Sequence, residues 1–161
     1  MIRVLGLGSP FGDDRAGWWV VHHLRGNVPP SVDLVTLDRP GAALIHWMTG
    51  VRHLVIIDAV VDDGPPGRIL KVPLERLTQV TSRYTSHQLT LVATLQLART
   101  LGDLPTLVEI YGVTIAGPGQ GSPLVEAAAG RLAADLGPLL TVAAEDPREA
   151  SRHLDETAGT G

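Results

Sequence analysis

Cysteine is missing from all 161 positions. Disulfides, thiolate metal sites and cysteine nucleophiles are thereby excluded, so any metal site must use oxygen and imidazole. A basic excess is missing too. Lys and Arg number 13 against 17 Asp and Glu, for a net charge of −4. No continuous basic patch offers itself to a phosphate backbone, which argues against nucleic-acid binding. No apolar run approaches the ~18 residues that a bilayer crossing needs. The opening MIRVLGLGSP reads as a strand entering a turn rather than as a signal peptide. These features lead to the expectation of a cytoplasmic protein with no membrane partner. Among hydrolase signatures, the GxSxG elbow, the HExxH zinc motif and the short motifs of paired-aspartate proteases are all absent.

Against these absences stands an ordinary globular composition, 44% hydrophobic and 19% charged. The length suits one domain with a sizeable core. Apolar runs bounded by turn residues predict strands at 2–7, 32–37, 53–58 and 107–113, with an edge strand at 68–72. Helical signals predict helices at 14–24, 42–48 and 85–101, and a last one opening at Ser122-Pro123 with Leu124, Ala128, Leu132 and Leu136 inward. The third helix opens with a capping box, Thr85 to Gln88, and carries Leu89, Val92, Ala93 and Leu97 as its apolar stripe. Strands alternating with helices imply βαβ units. The expected fold is therefore α/β: three layers, with a twisted, mostly parallel five-stranded sheet between helices. One domain spans 1–141, and 142–161 form a polar, flexible tail.

Three stretches place a metal-competent side chain near a strand end or a helix start: GLGSPFGDD at 6–14, VIIDAV at 55–60 and YTSHQL at 84–89. Carboxyl ends of parallel strands share one rim, so Asp14, Asp58 and His87 can meet there. Each also has a simpler reading. Asp13 and Asp14 can cap a helix, with Asp13 the better cap by position and Asp14 the better ligand. Asp58 closes the most apolar strand and needs a partner or a metal; an arginine such as Arg15 would serve. A lone histidine is more often structural. Gly6-Leu7-Gly8, with Asp38 after the second strand, imitates a dinucleotide fingerprint, but the third glycine would fall at Phe11.

Read together, the stretches GLGSPFGDDRAG, LVIIDAV, TSHQL, VEIYGVTI and SPLVEAAAGRL resemble the hydrogenase maturation proteases over about residues 1–140. Those enzymes remove a C-terminal extension from the large subunit of nickel–iron hydrogenases. The resemblance implies an endopeptidase acting on a [NiFe]-hydrogenase large-subunit precursor after nickel insertion. It makes Asp14, Asp58 and His87 both the metal ligands and the catalytic set. Nickel is then brought by the precursor, with another divalent metal possible in isolation. The first loop is shorter than the family's, Ser9 stands for the common asparagine, and Arg15 stands for the usual glycine. A shorter loop could turn Asp13 rather than Asp14 into the site, and Arg15 would add a cation beside it. Two rival readings stand beside it: a non-catalytic checkpoint that uses the same three residues to bind the nickel site during assembly, and a nucleotide-binding α/β protein that rests on Gly6-Leu7-Gly8 and Asp38.

Overall fold

The fold comes from a computed structural model that describes residues 1–77, 86–117, 119 and 121–146. For residues 77 and 86–89 it describes the backbone alone. Five strands form one sheet: β1 (Ile2–Gly8), β2 (Val32–Asp38), β3 (His53–Val61), β4 (Ile69–Lys71) and β5 (Leu107–Ile115). Their order is β2-β1-β3-β5-β4, with β4 antiparallel to β5 and every other pair parallel. Four helices accompany them: α1 (Ala16–Leu24), α2 (Leu74–Leu77), α3 (Ser86–Leu101) and α4 (Pro123–Glu145). This is the expected three-layer, mostly parallel α/β architecture, and the expected edge strand is β4, which runs antiparallel to β5.

Strand alternation divides the core. Val4, Val55, Ile57, Val113 and Ile115 face α1 and α4. Leu5, Leu7, Leu54, Ile56 and Ile110 face α3 and a 3-10 segment at Gly41–Trp47. Leu54 through Ile57 expose no surface, as a parallel strand covered on both sides requires.

Several boundaries differ from expectation. The helix expected at 42–48 is the 3-10 segment Gly41–Trp47. Asp13 and Asp14 lie in a 3-10 turn, Gly12–Arg15, and neither side chain caps it or α1. β3 continues past Asp58 to Val61 because β5 pairs with it throughout, from His53–Leu107 to Val61–Ile115. α4 runs to Glu145, past the point where the sequence turns polar, with Leu140 and Ala143 still buried against the sheet. Val125 faces inward instead of Leu124, which is exposed. On α3 the buried residues are Leu91, Thr94, Leu95 and Ala98, while Ala93 and Leu97 face outward. Leucines on several sides of that helix made its stripe ambiguous. Thr94 can face the sheet because its hydroxyl donates to the Thr90 carbonyl at 2.8 Å. The proposed capping box falls partly on Thr85, outside the described residues.

Two glycines set the position of α1. A Cβ on Gly6 would collide with the Gly17 carbonyl, and one on Gly17 would collide with the carbonyls of Leu7 and Ile57. The first turn of α1 therefore lies directly on the carboxyl ends of β1 and β3. Gly8 is hemmed in the same way by the Asp14 carbonyl. Gly6 and Gly8 lie within β1, and their close approach to Gly17 and Asp14 lets α1 and the turn before it pack on the strand.

Candidate functional site

From β1 the chain moves through α1 to β2 on one side, then crosses back to β3 on the other. The β1–β3 border is thus the switch point of the sheet, where the carboxyl ends open a crevice. The β1–β3 pairing stops at Gly6–Ile57. Asp58 is the first residue beyond that ladder, and alternation turns it to the face covered by α3.

A cavity of about 880 Å³ occupies this crevice. Asp14 and Asp58 both line it, with Ser9 and Leu7 from the end of β1, Arg39 from the end of β2, and Thr90 and Leu91 from α3. Two of the three residues singled out from sequence therefore share one cavity. His87 is in the first turn of α3, three and four positions before Thr90 and Leu91; its side chain lies outside the described residues. Among the described residues, no group of three metal-competent side chains converges.

The two carboxylates are held differently. Ser9 Oγ donates to Asp14 Oδ2. The backbone of the same loop closes on itself, with Asp14 N–H bonded to the Phe11 carbonyl at 3.1 Å. Asp58 Oδ1 accepts the N–H of Ala59 at 2.8 Å. Among the described residues, no cation pairs with Asp58. Burial pushes its pKa up to about 7; the Ala59 hydrogen bond opposes the rise, and the charge of Asp14 adds to it. At neutral pH this group is divided between acid and carboxylate, a condition common at reactive sites.

Asp13 and Arg15 have other duties. Asp13 is buried, and its Oδ1 accepts the Ser122 N–H at 2.6 Å, tying the first loop to the start of α4. The shorter loop does not rotate it into the cavity. Arg15 donates Nε to the Gly12 carbonyl at 3.1 Å and stacks on Trp19, 5.1 Å from the ring centre. It is not among the residues lining the cavity, so neither the pairing with Asp58 nor a cation beside the site is formed. The cation that does reach the cavity is Arg39, which sequence reasoning passed over. Its one signal was an Asp-Arg-Pro-Gly turn leaving a strand on the same rim.

The fold and the cavity together define a class: a three-layer α/β protein with two carboxylates in one cavity at the switch point of its sheet. Comparison with known proteins narrows the class. The family model for hydrogenase maturation proteases matches residues 19–134. A curated relative, the hydrogenase 2 maturation protease of Escherichia coli, is 31% identical over 117 residues, covering 70% of this chain and 71% of that protein. The solved structure of the hydrogenase-maturating endopeptidase HybD from Escherichia coli superposes with a TM-score of 0.72 at 28% identity, covering 84% of this chain and 88% of that one. A [NiFe] hydrogenase maturation protease from Thermococcus kodakarensis, at 20% identity and a TM-score of 0.68 over 86% and 91% of the two chains, shares the fold. The chain belongs to the hydrogenase maturation protease family.

Proposed function

We propose that this protein is the endopeptidase that removes the C-terminal extension of a [NiFe]-hydrogenase large-subunit precursor once nickel is in place. The observation that carries the reading is the meeting of Asp14 and Asp58 in one cavity at the sheet's switch point. Helical spacing supports His87 as the third member, because positions 87, 90 and 91 fall on one side of α3 and Thr90 and Leu91 line the cavity.

Nickel belongs to the substrate in this reading. Two carboxylates and an imidazole suit it, as they suit zinc. Each aspartate has one oxygen engaged within the protein, Oδ2 of Asp14 and Oδ1 of Asp58, so the other oxygen of each is the one to meet the precursor's ion. The Ser9 and Ala59 bonds fix the two carboxyl groups before the substrate arrives. Asp58, with its proton held to about pH 7, exchanges that proton for the arriving cation at little cost. Bound to the ion, Asp58 serves as a ligand, and the proton that moves to the leaving amine comes from the attacking water. A divalent ion beside the scissile bond supplies Lewis acidity.

The test is incubation with nickel-loaded and nickel-free precursor, followed by product mass. A C-terminal peptide should leave only the nickel-loaded form. Cleavage of both forms would remove nickel as the recognition element. Tight binding of the loaded form without cleavage would make the protein a checkpoint rather than a protease.

A further inference from the structure

Arg39 is unusual in both backbone and side chain. Its φ of +41° makes it the one non-glycine residue in the left-handed region among the described residues. That conformation strains an L-residue, and glycine would adopt it freely. Its N–H donates to the Gly8 carbonyl at 3.1 Å, joining the ends of β2 and β1 and fixing its Cα at the cavity wall. Its Nε donates to Asp38 Oδ1 at 2.8 Å, and both side chains are about half exposed, at 51% and 48%. An ion pair that open to water adds little to stability. Stability therefore does not account for an arginine in a glycine-like turn.

The side chain's position in the cavity does. Arg39 is the one cation among the described residues that line it. Asp38 holds the Nε, and neither Nη group has a partner among the described residues. An arginine steadied on one edge presents its other edge as a planar fork for a carboxylate. Among the other described lining residues, Asp14 and Asp58 are acidic and Phe11 and Val61 at the rim are apolar and exposed. A peptide carboxylate drawn to Arg39 would fix the direction in which the peptide lies across the two aspartates.

We propose that Arg39 is the specificity-determining residue of this site and binds a carboxylate of the peptide substrate. The inference rests on the endopeptidase reading above. The carboxylate can belong to an acidic side chain or to the substrate's chain terminus.

The experiment compares the wild-type protein with R39A, R39G and R39K, using nickel-loaded precursor as the probe and measuring Kd, KM and kcat. R39G keeps the left-handed turn without strain, so it separates recognition from folding. R39A and R39G should raise Kd and KM at least tenfold, with kcat within twofold, and R39K should recover part of the loss. Neutralising acidic side chains of the extension, or adding residues past its terminus, identifies the carboxylate. The correct change reproduces the loss in the wild-type protein and adds nothing in R39A. Unchanged Kd and KM in R39A and R39G overturn the inference and leave the endopeptidase reading intact. Wild-type binding without cleavage sinks the endopeptidase reading, and the Kd comparison still decides Arg39. A wild-type protein that neither binds nor cleaves the precursor overturns both.

Discussion

Where β3 and β5 begin, Glu109 of β5 has three partners: His53 Nε2 at 2.8 Å, Lys71 Nζ at 2.7 Å and the Tyr111 hydroxyl at 3.1 Å. Toward the other end of β3, Asp58 has one among the described residues, the N–H of its own neighbour. Burial acts on both acids in the same direction, raising the pKa. For Glu109 the hydrogen bonds from His53 and Lys71 outweigh burial and bring the carboxyl down to about 2. For Asp58 nothing outweighs it, and Asp14 adds a second negative charge. One sheet thus holds a compensated acid and an uncompensated one. The compensated acid contributes to stability, whereas the uncompensated one reduces it and keeps an affinity for cations.

The largest effect comes from removing the uncompensated charge. Asp58→Asn should lower precursor processing more than a hundredfold. In metal-free protein it should also raise stability at pH 8 by about 2 kcal/mol, with the gain vanishing near pH 4. The sign follows from the folded-state pKa lying above the unfolded value: wild-type stability falls as pH rises from about 4 to about 7. Urea unfolding at the two pH values measures it, and a destabilised Asn variant at pH 8 would break the contrast.

Removing the compensated charge should act in the opposite sense. Glu109→Gln should cost about 2 kcal/mol at pH 7 and leave kcat for processing within twofold. The folded-state pKa of Glu109 is depressed, so its contribution is complete above about pH 4.5 and is lost as pH falls toward 2. Acid titrations of the two proteins should therefore converge at low pH. A parallel offset down to pH 2 would show that packing, not charge, maintains the cluster.

A third acid sharpens the comparison at smaller scale. Asp13 is compensated by a backbone N–H rather than by a cation. Asp13→Ala should cost about 1 kcal/mol by leaving the Ser122 N–H without its acceptor. Processing should fall with it, since the loop that holds Asp14 loses its tie. Thermal unfolding and a processing assay on one preparation check both effects. Lost stability with undiminished processing would show that the loop keeps its shape without that bond.

Sequence reading brought Asp14 and Asp58 to one rim because Asp14 follows β1 and Asp58 ends the apolar run within β3, and parallel strands share a rim. It left Asp13 open because the bond to Ser122 joins residues 109 positions apart, a separation that no local pattern reports. It extended the uncertainty to Arg15, whose stacking on Trp19 is a feature of tertiary placement. It missed Arg39 because a positive φ at a non-glycine residue has no signature in composition. The three long helices were legible from turn residues and periodicity, whereas the single-turn α2 was not. Helix facing was not legible on α3, where a hydroxyl bonded to its own helix let Thr94 replace an apolar residue against the sheet.

The Asp13–Ser122 bond also bears on the order of events during synthesis. Ribosomes deliver the chain from its N-terminus at about 5–20 residues per second, so on the order of ten seconds separate the two partners. Throughout that interval the first loop can form its own turn but lacks its anchor. The tie between the first loop and the last helix can therefore form only after nearly the whole sheet has been made.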